Sequence, residues 1–133
     1  MTKVIYKGFF LDEESVIRLK EYEGEKRLEK ETPNQHITFQ FRPEELFPLS
    51  VMNKTFSLMV VGYGNNEENS GFKVALPEEL IPYYRGADVI HVTTSLSENG
   101  KAMNTRHLNF KAITPFEITG QLGYYTGKEI LFT

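Results

Sequence analysis

The chain of 133 residues has no cysteine, no tryptophan, only three histidines and no long run of apolar side chains. Without cysteine there is no disulfide framework, no thiolate metal site and no cysteine nucleophile. No stretch approaches the roughly 18 apolar residues expected of a membrane-spanning helix. Met1 to Phe10 carries Lys3 and Lys7 without an apolar block, so it does not read as a signal peptide, and a cytoplasmic location is expected. A large excess of positive charge is also missing. The net charge of −3 argues against a protein that grips long duplex nucleic acid through its phosphates.

What is present suits an ordinary globular domain. Ten phenylalanines and seven tyrosines supply core material, and a domain of this size buries about two-thirds of its unfolded surface without covalent staples. Residues 1–133 are expected to form one domain, since domains run roughly 100–200 residues. Lys3 to Leu11 is apolar and aromatic enough for a strand. Asp12 is a suitable helix cap followed by Glu13 and Glu14, and Val16, Ile17, Leu19 and Tyr22 roughly follow helical spacing, which predicts a helix from Glu13 to about Tyr22. His36 to Phe41 alternates strictly, with Ile37, Phe39 and Phe41 on one face and His36, Thr38 and Gln40 on the other. Arg42 to Phe47 reads as a short helical turn with proline near its start. Lys54 to Tyr63 reads as a strand, Gly64 to Gly71 as a polar turn and Phe72 to Leu76 as the next strand. Pro77 opens a short helix to about Tyr84, Asp88 to Leu96 is a strand, and Phe116 to Tyr125 with Glu129 to Phe132 reads as a closing hairpin. Strand, helix and a strand bearing His-apolar-Thr occur once over Tyr6 to Phe41 and again over Phe72 to Leu96, which suggests a pseudo-duplicated α+β domain with two related lobes.

The chemistry-bearing residues lie in those two strands. His36-Ile37-Thr38 and His91-Val92-Thr93 use two of the three histidines. Residues two apart on a strand share a face, so each imidazole stands beside a hydroxyl. Two imidazoles and two hydroxyls in one cleft suit phosphate ester chemistry. One histidine takes a proton from the attacking oxygen, the other gives one to the leaving oxygen, and the threonines hydrogen-bond the non-bridging oxygens. Imidazole fits because its unperturbed pKa is about 6.5. Ser95 shares the expected face of His91 and Thr93 and adds a hydroxyl at the cleft edge. Tyr124 and Tyr125 are candidates to stack a nucleobase, as are Tyr83 and Tyr84, and Arg42, Arg85, Arg106, Lys73 and Lys101 are candidate phosphate contacts. His107 has no spaced carboxylate partner, so no metal ligand set is assigned.

At these residues the chain resembles the 2H phosphoesterases, a family defined by two His-apolar-Thr/Ser motifs. Tyr6-Lys7-Gly8-Phe9-Phe10-Leu11 looks like the opening strand of the branch found as the cyclic phosphodiesterase domain of tRNA ligases. Gly62-Tyr63-Gly64 and Phe116 to Tyr125 are similar to its later strands. Thr94 follows the second motif where an apolar residue is usual, and Leu96 restores the pattern. The resemblance implies a bilobal α+β fold in which antiparallel sheets line a central cleft with helices outside. It implies His36 and His91 as the acid–base pair, Thr38 and Thr93 as phosphate ligands, and neither metal nor cofactor. The expected activity is hydrolysis of a 2′,3′-cyclic phosphate RNA end or of a short or cyclic oligonucleotide. The expected protein is a monomer without a membrane or long duplex partner, and a non-catalytic nucleotide-binding protein using the same cleft is the alternative.

Overall fold

The structure is a computed structural model and describes residues 3–32 and 35–133. Pro33-Asn34, expected as a break before the first motif strand, lies outside the described residues. Strand β1 (Tyr6–Leu11) runs into helix α1 (Glu13–Glu23), followed by β2 (Lys30–Glu31), β3 (His36–Phe41), β4 (Phe56–Asn65), β5 (Asn69–Ala75), β6 (His91–Leu96), β7 (Lys111–Tyr125) and β8 (Ile130–Leu131). The helix starts where its cap predicts: the Asp12 carboxylate accepts the Ser15 N–H at 2.9 Å, satisfying one of the free donors of the first turn. It ends at Gly24, whose φ of 53° favours glycine.

Two expected short helices are not formed as helices. Arg42 to Phe47 contains no helix. Arg42 takes a φ of 51° while its N–H donates to Ile5 O at 2.7 Å, which is incompatible with starting a right-handed turn. The segment from Pro77 yields only a 3-10 turn, Ile81–Tyr83, with Pro82 inside it. The second copy of the expected repeat therefore lacks an α-helix.

The fold is α+β. The eight strands of the described residues all join one antiparallel sheet in the order β2-β6-β5-β4-β7-β1-β3, with β8 beside β7. Where separate sheets lining a cleft were expected, β7 makes the sheet continuous. Its first half pairs with β4 and its second half with β1, so 15 residues bridge the two halves of the molecule. The curled sheet brings its ends together: β3 and β6 lie against each other, Gln35 Nε2 donates to Thr94 O at 3.4 Å, and Arg85 N–H donates to Phe39 O at 2.7 Å.

One hydrophobic core lies on one face of the sheet. Phe9, Ile37, Phe39, Leu58, Val60, Phe72, Val92, Ile118 and Leu122 are all at most 1% exposed, together with Leu19 from α1. Each such side chain contributes about 1.5–3 kcal/mol on burial, so the two motif strands are anchored through Ile37, Phe39 and Val92. No helix among the described residues is long and apolar enough to cross a membrane.

Candidate functional site

Ile37 and Phe39 are locked into the core, so the alternation of β3 turns His36 and Thr38 to the opposite face. Val92 does the same for His91 and Thr93 on β6. Both His-Thr pairs therefore stand on one face of one sheet, on the two strands that meet where the sheet curls round.

The surroundings of the two imidazoles differ. His36 lies in an aromatic setting: the Tyr6 ring stacks on it at 4.6 Å and 20°, and the Phe10 ring is 5.6 Å away. Its Nε2 is 3.1 Å from Thr38 Oγ1 and its Nδ1 is 3.3 Å from the Tyr6 hydroxyl. Burial keeps the Tyr6 phenol protonated far above its ordinary range. The strand pair is close here because Gly8 sits opposite Thr38. A Cβ at Gly8 would lie 2.5 Å from Ile37 O, so a side chain there would push β1 off the motif strand.

His91 is half-buried and donates Nδ1–H to Val89 O at 2.7 Å. A carbonyl oxygen only accepts, so the proton is on Nδ1, and the neutral ring presents Nε2 as a lone pair. Burial pushes the His91 pKa down, the Val89 carbonyl opposes this, and the Arg106 guanidinium lowers it further. Burial and Arg106 thus favour the neutral form of His91. Arg106 was one of five candidate cations in the sequence, and it is the one whose charge is felt at His91. Lys73 faces His91 across the β5–β6 ladder. Arg85 is tied to its own loop through Pro82 O and Tyr84 O.

The hydroxyls are held as well. Thr93 Oγ1 donates to Thr105 Oγ1 at 2.8 Å, and the fully buried Thr105 also accepts Asn69 Nδ2 at 2.9 Å. This pins the 3-10 helix Ala102–His107 over β5 and β6. Gly71 makes the fit possible, because a Cβ there would lie 2.7 Å from Thr105 Cγ2.

Three expectations are corrected or refined. Ser95 does not share the face of His91 and Thr93. A bulge in the β5–β6 pairing sets Gly71 against Thr93 and Ser70 against Ser95, leaving Thr94 as the extra residue. The bulge reverses the alternation beyond it. Ser95 is fully buried, paired with Ser70 Oγ at 2.5 Å and accepting the Leu28 N–H at 2.9 Å. Thr94, unusual as a polar residue after the motif, is buried facing Ser70 at 3.0 Å and Glu23 at 3.3 Å. Tyr124 belongs to the core, where its hydroxyl accepts the Phe47 N–H at 2.8 Å, so it offers no ring to a ligand. Tyr125 lies on the His36 face, 5.1 Å from Tyr6. His107 is exposed, and no group of three metal-ligating side chains occurs among the described residues.

The residues missed were Tyr6, Phe10, Asn69 and Thr105. The spacing of Tyr6, Gly8 and Phe10 on one strand could have flagged an aromatic face with a gap for the motif. Nothing local marks Asn69 or Thr105, whose partners lie far away in sequence. No protein-family model matches the chain, and no curated protein matches it in sequence.

Proposed function

We propose that this chain is a metal-independent phosphodiesterase of the 2H type, acting on a 2′,3′-cyclic phosphate RNA end or on a short or cyclic oligonucleotide. The observation that carries the reading is the pairing itself. Two His-Thr pairs stand on the same face of one sheet, on strands that meet, with one imidazole favoured in its neutral form. In this reading the two lobes are the halves bridged by β7, β1 with β3 on one side and β4 to β6 on the other.

His91 Nε2 takes a proton from the attacking water as its oxygen bonds to phosphorus. His36, as imidazolium, gives a proton to the ester oxygen as its bond to phosphorus breaks. Thr38 and Thr93 hydrogen-bond the non-bridging oxygens, and Arg106 balances the phosphate charge. Each proton transfer of this kind contributes about 10²–10⁴-fold to rate, and Thr93 turns from Thr105 towards the phosphate when it is bound.

A specific observation favours a second reading, a nucleotide-binding protein that does not turn over. Both threonine hydroxyls already have partners within the chain, Thr38 at His36 and Thr93 at Thr105. One experiment separates the two. The protein is incubated in EDTA with a 2′,3′-cyclic nucleotide, a 2′–5′ dinucleotide and a cyclic dinucleotide, and products are read by mass spectrometry beside a thermal-shift assay. Monophosphate or ring-opened products that vanish with His91→Ala support the enzyme. A thermal shift without product supports the binder, and product formed equally by His91→Ala overturns the assignment.

A further inference from the structure

The structure holds a cavity of about 430 Å³ lined in part by Phe10, whose ring lies 5.6 Å from that of His36. Its apolar walls include Phe10, Ile130 and Phe132. Phe132 meets the Phe10 ring edge-on at 6.0 Å, and the close fit depends on Gly123, where a Cβ would lie 3.1 Å from the Phe132 ring. Phe132 is 37% exposed, so its ring is available to a ligand.

The polar groups of this cavity are nearly all acceptors. Glu13 and Glu31 contribute carboxylates, of which Glu31 is already ion-paired through Oε1 with Lys20 Nζ at 2.5 Å. Thr32 spends its hydroxyl proton on the Thr93 and Thr94 carbonyls, at 2.7 and 3.1 Å, leaving lone pairs. Gln35 is 5% exposed, and its Nε2 is used on Thr94 O at 3.4 Å. Its Oε1 is buried without a hydrogen-bond partner among the described residues. An unpaired buried acceptor is costly and calls for an explanation. Gln35 lines the cavity, its terminal amide torsion is soft and its one contact is long, so the amide is free to reorient towards a ligand that offers a donor.

We infer that this cavity is the base subsite of the proposed phosphodiesterase, and that it takes a nucleobase with an exocyclic amino group, adenine or cytosine in preference to uracil. The inference rests on the phosphate-binding reading of the two His-Thr pairs. Aromatic walls suit a flat base. The Glu13 carboxylate repels phosphate and, with the Gln35 and Thr32 oxygens, attracts N–H donors. Charge is arranged to match, with Arg106 and Lys73 at the His91 end and Glu13 beside the Lys20–Glu31 ion pair at the base end. One phosphate at the histidines therefore orients the nucleoside with its base beyond Phe10.

The test uses ligands without phosphate, so that it does not depend on catalysis. Cytidine and uridine, and adenosine and purine riboside (which lacks the amino group), are titrated into the 133-residue chain, with the Gln35 side-chain amide followed by NMR. Cytidine and adenosine should move that resonance and bind at least about fivefold more tightly than their counterparts, the worth of one net hydrogen bond. Gln35→Met should erase the preference, and Phe132→Ala, which leaves the core intact, should weaken all four ligands alike. Equal binding of cytidine and uridine, a preference that survives Gln35→Met, or no response at Gln35 overturns the base subsite. Selective binding with no turnover of any cyclic phosphate instead overturns the enzyme reading and leaves the subsite standing. Turnover without base preference does the reverse.

Discussion

The hydroxyl of Thr93 donates to the hydroxyl oxygen of Thr105 across 2.8 Å, and Thr105 is completely buried. A motif residue thus has a structural task as well as its proposed one, because it ties the segment bearing Arg106 to β6. Thr38 has no such tie among its described hydrogen bonds, since its hydroxyl meets only its own His36.

This asymmetry separates two otherwise equivalent substitutions. Thr93→Val should lower stability by about 1 kcal/mol, the worth of one hydrogen bond, and reduce the melting temperature by roughly 3–5 °C. Thr38→Val should leave the melting temperature almost unchanged. Both should slow turnover about 10–10³-fold, as expected for loss of one donor to the phosphoryl oxygens. Thermal unfolding alongside steady-state kinetics checks this, and equal melting temperatures for the two variants would contradict the assigned role of Thr93.

In the proposed mechanism His91 should set the acid limb of the pH profile. Its pKa is depressed by burial and by Arg106 against the opposing Val89 carbonyl, so turnover should rise with pH through a value below the ordinary 6.5. The fold binds this proton more weakly than the unfolded chain does. The associated stability is therefore present above about pH 6.5 and lost as pH falls through the lowered folded value. Arg106→Gln removes the repulsion and should move the acid limb to higher pH, while weakening phosphate binding. A limb that stays fixed in this variant would place Arg106 outside the site.

Removing either imidazole should cost about 10²–10⁴-fold in rate, roughly 3–5 kcal/mol of barrier. His36→Ala and His91→Ala should nevertheless retain ligand binding within a few-fold. His107→Ala, changed at an exposed side chain, is the control and should stay within a few-fold of the parent. Activity in EDTA should be unaffected. If His107→Ala were as damaging as His91→Ala, and zinc or manganese restored activity lost to EDTA, a metal-assisted reaction would replace the two-histidine mechanism.

Ser95→Ala and Tyr124→Phe probe residues that the fold withdraws from the ligand face. Each variant strips the partner from a backbone N–H, of Leu28 or Phe47 respectively, and should cost about 1–3 kcal/mol of stability. The KM of the folded protein should not change. A raised KM at unchanged stability would return either residue to the binding face.

The sequence by itself determined the elements whose signals are local. Strict alternation in His36 to Phe41 defines β3 with its observed ends, and it sends Ile37 and Phe39 into the core with His36 and Thr38 opposite, because side chains alternate across any strand. Asp12 and the two glutamates after it define the start of α1, because a cap acts within one turn. Only the tertiary structure decided what depends on a partner strand. The face of Ser95 follows from a bulge between β5 and β6, and the burial of Tyr124 from packing against Phe47. The merging of the expected lobes into one sheet follows from β7, long enough to pair with β4 at one end and β1 at the other. Pairing register is a property of two strands, and neither strand carries it alone.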